Sequence, residues 1–404
     1  MQTGIFRSFF LGGFECSTHR LPTGKRLDLV GSTRHDALAA SDYQLLQRHG
    51  ILTARDGLRW TLIEHTPRHY DFSSALTQLR AARDTGMQVI WDLWHYGWPD
   101  DIDIFSAAFV DRFTAYAVEA IKVIGEFTDR PMVSPINEIS FFSWAGGEAG
   151  IFNPFAMRRG DEIKRQLVRA SIEAINAMRA ANPMMTVVQV DPIINIVGRT
   201  IREEDVRAAE GYRQSQFVAW DMLLGRLQPE LGGHETLIDV IGVNYYIHNQ
   251  WVLEGQLIVP SDPRYRHVSE MLGEVYGRYR RPVFVAETGI EDDTRSAWFR
   301  YMCREVYTAM QAGVPVEGIC LYPIVNHPGW DDDRHCCNGM FDYADASGQR
   351  AVYEPLAYEL ERQIQNVQSL IAGATIHDIE DLETSALDWA AHVMQERTDE
   401  SRTA

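Results

Sequence analysis

Short apolar runs alternate with longer amphipathic segments along the chain. The runs that begin near Ser8, Ile51, Met87, Pro131, Met185, Leu237, Pro282 and Val316 are only a few residues long and mostly apolar. That pattern predicts strands buried on both faces. Between them the apolar spacing predicts helices over 35–49, 73–85, 107–127, 162–181, 203–224, 293–312 and 354–364. Three of these stretches run into a glycine just before the next strand, at Gly50, Gly86 and Gly313. Glycine accepts the left-handed backbone that closes a helix C-terminus. Eight strand–helix alternations predict a closed parallel (β/α)8 TIM barrel, one domain over 1–365. An open doubly wound sheet is the structural alternative. Without a Gly-rich loop after an early strand, its nucleotide-binding version is disfavoured.

From about Asn366 the pattern changes. The stretches 376–382 and 386–391 are acidic and amphipathic, which predicts a C-terminal helical extension over 366–404. Its apolar side would dock on the barrel or on a second subunit, so a homodimer is one expectation. Residues 396–404 are expected to fray.

Composition narrows the function. The chain has 404 residues, 45% hydrophobic and 23% charged, enough to bury a large core. The net charge of -18 repels phosphates, so neither nucleic acid nor an anionic membrane is an expected partner. It also disfavours anionic substrates unless local basic residues override the global field. Five cysteines, Cys16, Cys303, Cys320, Cys336 and Cys337, form no disulfide framework and suggest a reducing compartment. The N-terminus lacks a signal-peptide h-region and no apolar stretch is long enough to span a bilayer, so the expected location is cytoplasmic.

Active sites of such barrels sit at the C-terminal ends of the strands. Polar residues interrupt the apolar runs there: Asn137-Glu138, Glu287, His95, and Asn244-Tyr245-Tyr246. The two glutamates fall on the fourth and seventh runs. Paired carboxylates at one rim suit glycosidic cleavage, which needs a proton donor and, in the retaining version, a second carboxylate about 5–5.5 Å away as nucleophile. A single strand-end glutamate is as consistent with a rim salt bridge; the pair is the stronger signal. The ten Trp and sixteen Tyr offer platforms for pyranose faces, although most serve any core.

These segments resemble glycoside hydrolase family 1, the β-glucosidase type. Pro135-Ile136-Asn137-Glu138-Ile139 is similar to the family's T-F-N-E-P, and Val285-Ala286-Glu287-Thr288-Gly289 to its I-T-E-N-G. The stretch from Gly86 to Pro99 aligns without gaps with the family's third strand. Arg55 and Trp60 keep the spacing of R-F-S-I-S-W, and Gly242-Val243-Asn244-Tyr245-Tyr246 is close to G-x-N-Y-Y. The resemblance covers roughly residues 8–345. It implies that Glu138 is the general acid and then base, with a raised pKa, and that Glu287 is the ionised nucleophile. Arg55 and Tyr246 would support Glu287. Strand alternation favours Tyr246 over Tyr245, because Tyr246 shares a face with Asn244. Asn137 would meet the sugar 2-hydroxyl and His95 another hydroxyl. For His95, a packed ring between Trp94 and Tyr96 is the competing reading; for Arg55, a barrel-interior ion pair is compatible with its support of Glu287.

The departures concern the sugar. The family's first-strand Gln falls on His19, with Glu15 four residues before it; either could reach the pocket, and a buried structural pair is the competing reading for Glu15. W-S-L-x-D-N-F-E-W becomes Tyr322-Pro323-Ile324-Val325-Asn326-His327-Pro328-Gly329-Trp330, keeping Trp330 and losing the glutamate before it. His327, Asp331 and Asp332 are candidates to replace its contacts and Tyr322 is a further substrate-binding candidate, so the glycone is expected to be held differently. The run from Asp331 to Cys337 lacks the usual zinc spacing, so no metal is expected there, and no cofactor elsewhere. A vicinal Cys336–Cys337 disulfide stays open. The expected activity is retaining hydrolysis of a β-type glycoside. A transglycosidase on the same site and a catalytically silent sugar-binding barrel are the alternatives.

Overall fold

The computed structural model describes residues 4–330 and 332–373. Eight parallel strands close into a barrel: β1 (Phe10–Gly13), β2 (Thr53–Gly57), β3 (Gln88–Asp92), β4 (Met132–Ser134), β5 (Thr186–Pro192), β6 (Val240–Asn244), β7 (Val283–Thr288) and β8 (Val316–Leu321). All eight coincide with the expected apolar runs, and each strand pairs with its sequence neighbours, β1 also with β8. The open-sheet alternative is thereby excluded.

The main helices are α1 (His35–Arg48), α2 (Ser73–Thr85), α3 (Ala107–Gly125), α4 (Gly160–Ala181), α5 (Glu203–Gln214), α6 (Val268–Tyr279), α7 (Arg295–Gln311) and α8 (Glu354–Ile371). Gly50, Gly86 and Gly313 have φ of 78°, 71° and 88°, the left-handed values expected at helix ends. The helix expected over 203–224 divides into α5, a 3-10 turn at Ser215–Phe217 and the short helix Val218–Leu223. Helix α6 was not expected. Its Gly273 and Gly277 lower helix propensity. Its buried Val268, Met271, Leu272, Val275 and Tyr279 nevertheless follow helical spacing. Helix α8 runs through residue 366, so the expected boundary between barrel and extension falls inside a helix. The stretches 376–382 and 386–391, and the dimer expectation that rests on them, lie outside the described residues. No helix among the described residues is long and apolar enough to cross a membrane.

Two apolar layers hold the barrel. Inside, Phe6, Leu11, Ile90, Met132, Val188, Val190, Val240, Phe284, Ala286 and Cys320 fill the lumen beneath Tyr322. Outside, alternate strand residues such as Val89, Val133, Val187, Ile241 and Val285 pack against the helices. One irregularity bears on the site. Val243 pairs with Val285, but the next residue, Asn244, pairs with Glu287. The extra residue is Ala286, a bulge in β7. Ala286 packs in the lumen, and strict alternation would then turn Glu287 outward toward the helices. The bulge re-aims Glu287 inward, a use that bulges beside active sites commonly have.

Candidate active site

A cleft of about 1560 Å³ opens at the C-terminal ends of the strands, and Glu15, His95, Tyr96, Glu138, Tyr246 and Glu287 line its inner end. Glu138 is buried and stands four residues beyond the end of β4. Its backbone is left-handed, with φ 48° and ψ 58°, just before the short helix Ile139–Phe142. For a non-glycine residue this conformation costs on the order of 1–3 kcal/mol, and such strain clusters at functional sites. Its amide donates to the Val190 carbonyl of β5 at 3.1 Å, which fixes the turn. Asn244 Nδ2 donates to Glu138 Oε1 at 2.7 Å, and Tyr96 Oη donates to Oε2. Burial first, and then the nearby Glu287 charge, push the Glu138 pKa up to about 8 against the pull of those two donors.

Glu287 accepts from two sides. Arg55 Nη1 donates to Oε1 at 2.6 Å and Tyr246 Oη to Oε2 at 2.9 Å. Tyr245 faces the other way, its hydroxyl 2.8 Å from that of Tyr265. Arg55 is fully buried and is the hub of the floor. Its Nε and Nη2 reach Asp92 Oδ1 and Oδ2 at 3.1 and 2.7 Å, and Nη2 also reaches Asn137 Oδ1 at 2.6 Å. The guanidinium lies 5.2 Å from the centre of the Tyr322 ring. That ring fits because residue 13 is glycine: a Cβ there would come within 2.2 Å of Tyr322 Cδ2.

The hydrogen bonds around His95 fix its tautomer. Asn137 Oδ1 accepts from Arg55, so its Nδ2 is the atom facing His95 Nε2 at 3.1 Å. In the neutral ring Nε2 then accepts and the proton stays on Nδ1, 3.1 Å from Asp92 Oδ2. The same Nδ1 is 3.3 Å from the Cys16 thiol, which burial raises to about 12. Cys16, Asp92 and His95 converge closely enough to suggest a metal. The guanidinium of Arg55, however, already engages both Asp92 oxygens, and a second cation beside it would be repelled.

The residues expected to hold the sugar divide into two groups. Glu15, His95, Tyr322, His327 and Trp330 line the cleft. Glu15 is anchored through Oε1 by the Ser17 amide at 2.9 Å and by the Ser17 hydroxyl. Asn137 and Asn244 do not line it. The amide of Asn137 is engaged by Arg55, His95 and Tyr96, the last at 3.2 Å. Asn244 holds Glu138. His19 is fully buried against Phe152 and the edge of Trp330, with neither ring nitrogen hydrogen-bonded, and burial lowers its pKa to about 3. Asp331 lies outside the described residues. Cys336 and Cys337 are free thiols, as are the other three cysteines.

Four residues were not singled out from the sequence. Asp92 and Tyr96 stand in the same third-strand segment as His95. Asn338 lines the cleft and donates to His327 Nε2 at 3.0 Å. Asp191, at the end of β5, accepts from the Ser140 amide at 3.0 Å behind Glu138, and burial raises its pKa to about 7. A strand-end position was a usable signal for Asp92 and Asp191. Asn338 is brought in by a loop and had none.

No protein-family model matches the chain, and no curated protein matches it. Solved structures do. The family 1 β-glucosidase of Thermotoga maritima superimposes with a TM-score of 0.73 at 15% identity, over 90% of this chain and 98% of that one. The same organism's β-glucosidase in complex with glucoimidazole gives 0.73 at 15%, over 90% and 99%. The AHE enzyme of Alicyclobacillus herbarius gives 0.69 at 17%, over 83% and 87%. The chain therefore has the (β/α)8 fold of the family 1 β-glucosidases across nearly their whole length.

Proposed function

We propose that the protein is a retaining glycosidase acting on a β-linked glycoside, with Glu138 as acid/base and Glu287 as nucleophile. The observation that carries this reading is the unequal treatment of two carboxyls in one cleft. Glu138 is held by neutral donors in a buried setting that favours its protonated form. Glu287 is held by a guanidinium and a phenol, donors that suit an anion. That division matches what double displacement asks of the pair. Glu138 protonates the departing oxygen while Glu287 attacks the anomeric carbon. Glu138 then takes a proton from the water that releases the sugar.

The test is a panel of aryl β-glycosides of graded leaving-group acidity. For Glu138→Ala, turnover of poor leaving groups is expected to fall by about 10²–10⁴-fold, and that of activated aryl glycosides far less. Azide should restore rate and yield the β-glycosyl azide. Uniform loss across the panel, with no azide product, would rule out the acid/base role.

The pH profile follows from the same shift. The free enzyme needs protonated Glu138, so kcat/KM is lost as pH rises through its raised pKa, and the alkaline limb is expected near pH 8. Tyr96 donates to the Glu138 carboxylate and so lowers that pKa. Tyr96→Phe should therefore move the alkaline limb upward. A downward move would contradict the assignment.

A further inference from the structure

The cleft does not stop at the two glutamates. Its outer end is lined by the segment that follows Glu138, including Phe141 and Trp144, and by the first turns of α4. This is the side of the proton donor, the side on which a leaving group departs. We propose, resting on the glycosidase reading, that this outer end is a leaving-group site for an aromatic aglycone that carries an anionic group such as a carboxylate or sulfate.

Charge is the first support. The chain has 56 acidic residues against 38 basic ones, yet the outer cleft reverses that balance. Arg158, Arg159, Lys164, Arg165 and Arg169 line it, against Glu148, Asp161 and Glu162. Such local reversal is what an anionic ligand needs on an otherwise repelling protein. Pairing is the second. Arg159 is held by Glu162 at 2.8 Å and lies 3.3 Å over the Phe105 ring, and Arg169 is 3.9 Å from Glu173. Among the described residues, Arg158, Lys164 and Arg165 make no side-chain ion pair or hydrogen bond. Lys164 is the informative one, because it is half-buried rather than splayed into solvent. Burial lowers its pKa, against the opposing charges of Asp191 and Asp161. Asp191 in turn holds Ser140, two residues after Glu138. Lys164 thus sits beside the turn that carries the proton donor. Apolar surface is the third support. Trp144, Tyr212 and Trp251 line the same lobe, and Trp144 is 38% exposed. Flat rings with a cation nearby suit an aromatic anion better than a second neutral sugar.

The probes are 7-hydroxycoumarin-4-acetate and the neutral 4-methylumbelliferone, which share one ring system and differ in a carboxylate. Fluorescence titration needs no turnover and no knowledge of the sugar. The expected result is at least tenfold tighter binding of the acetate, weakened by salt. Lys164→Gln and Arg165→Gln should each reduce that preference severalfold and leave the neutral probe unchanged. The β-glucosides of the two coumarins give a second readout, in which the variants lower kcat/KM for the anionic substrate alone. Equal binding of both probes, or a preference untouched by either variant, overturns the proposal. Binding that follows the expected pattern with no glycoside turnover would sustain the anion site and instead count against the glycosidase reading.

Discussion

Glu287→Ala is expected to lower kcat on aryl β-glycosides by about 10⁴-fold or more while the protein remains folded. The size of the loss follows from the role. Removal of an attacking group in double displacement removes the only route to the covalent intermediate, and deleting a member of a nucleophilic catalytic unit costs about 10⁴–10⁶-fold. The fold should tolerate the change because Arg55 keeps its two-point pairing with Asp92 when its bond to Glu287 is lost. Tyr246 loses one acceptor at the open cleft, where water can replace it. Azide fits the space left by the carboxyl and attacks from the same face. The product should be the α-glycosyl azide, of opposite configuration to that expected from Glu138→Ala. Turnover within tenfold of wild type, or the same azide anomer from both variants, would remove Glu287 from the nucleophile role.

The fold was legible because a barrel writes itself locally. Most strands are buried on both faces and read as short apolar runs, whereas β2, Thr53–Gly57, buries Arg55 and Asp56 as well. Each helix buries one face, so it reads at helical spacing. Helix α6 was missed where two glycines weakened that signal although its apolar spacing was intact. The bulge at Ala286 was not legible, because it is set by the register against β6 and β8 and not by the residues of β7 themselves.

The site was legible only in part. Glu138, Glu287, Arg55 and Tyr246 converge because each stands in, or just beyond the C-terminal end of, a different strand of one closed barrel, a consequence of topology that sequence order carries. The roles of Asn137 and His95 depend on partners distant in the chain. Once Arg55 takes Asn137 Oδ1, the amide nitrogen must turn to His95 and Tyr96, and that pair becomes the floor of the pocket. His19 shows the same limit. Its position in the first-strand segment suggested a sugar ligand, but the packing of Phe152 and Trp330 decides where its ring lies. The residue of that segment that lines the cleft is Glu15, four residues earlier.

Arg55→Ala should be the most destabilising single change in the site. The guanidinium is fully buried and is the cation shared by Asp92 and Glu287. Its loss leaves Asp92, also fully buried, with its charge unmatched, and breaking a buried pair from one side typically costs about 3–5 kcal/mol. The penalty should depend on pH, with a sign that can be worked out. In the wild type, burial alone would raise the Asp92 pKa, and Arg55, followed by His95, more than offsets it, so the net shift is downward. That contribution is present above the unfolded carboxylate pKa of about 3.9 and is lost as pH falls through the folded value. Without Arg55 the burial effect prevails and the folded pKa rises above the unfolded one. Stability of the variant should then be lost as pH rises through that value, so its deficit is largest near neutrality and shrinks toward pH 4. Urea titrations of both proteins across this range would measure it. Adding Asp92→Asn should recover part of the stability, since the fully buried Asp92 charge is then gone, but little activity, because Glu287 still lacks its cation. If the double variant regains neither, or the deficit is flat with pH, Arg55 acts through packing against Tyr322 and not as the counter-charge of the site.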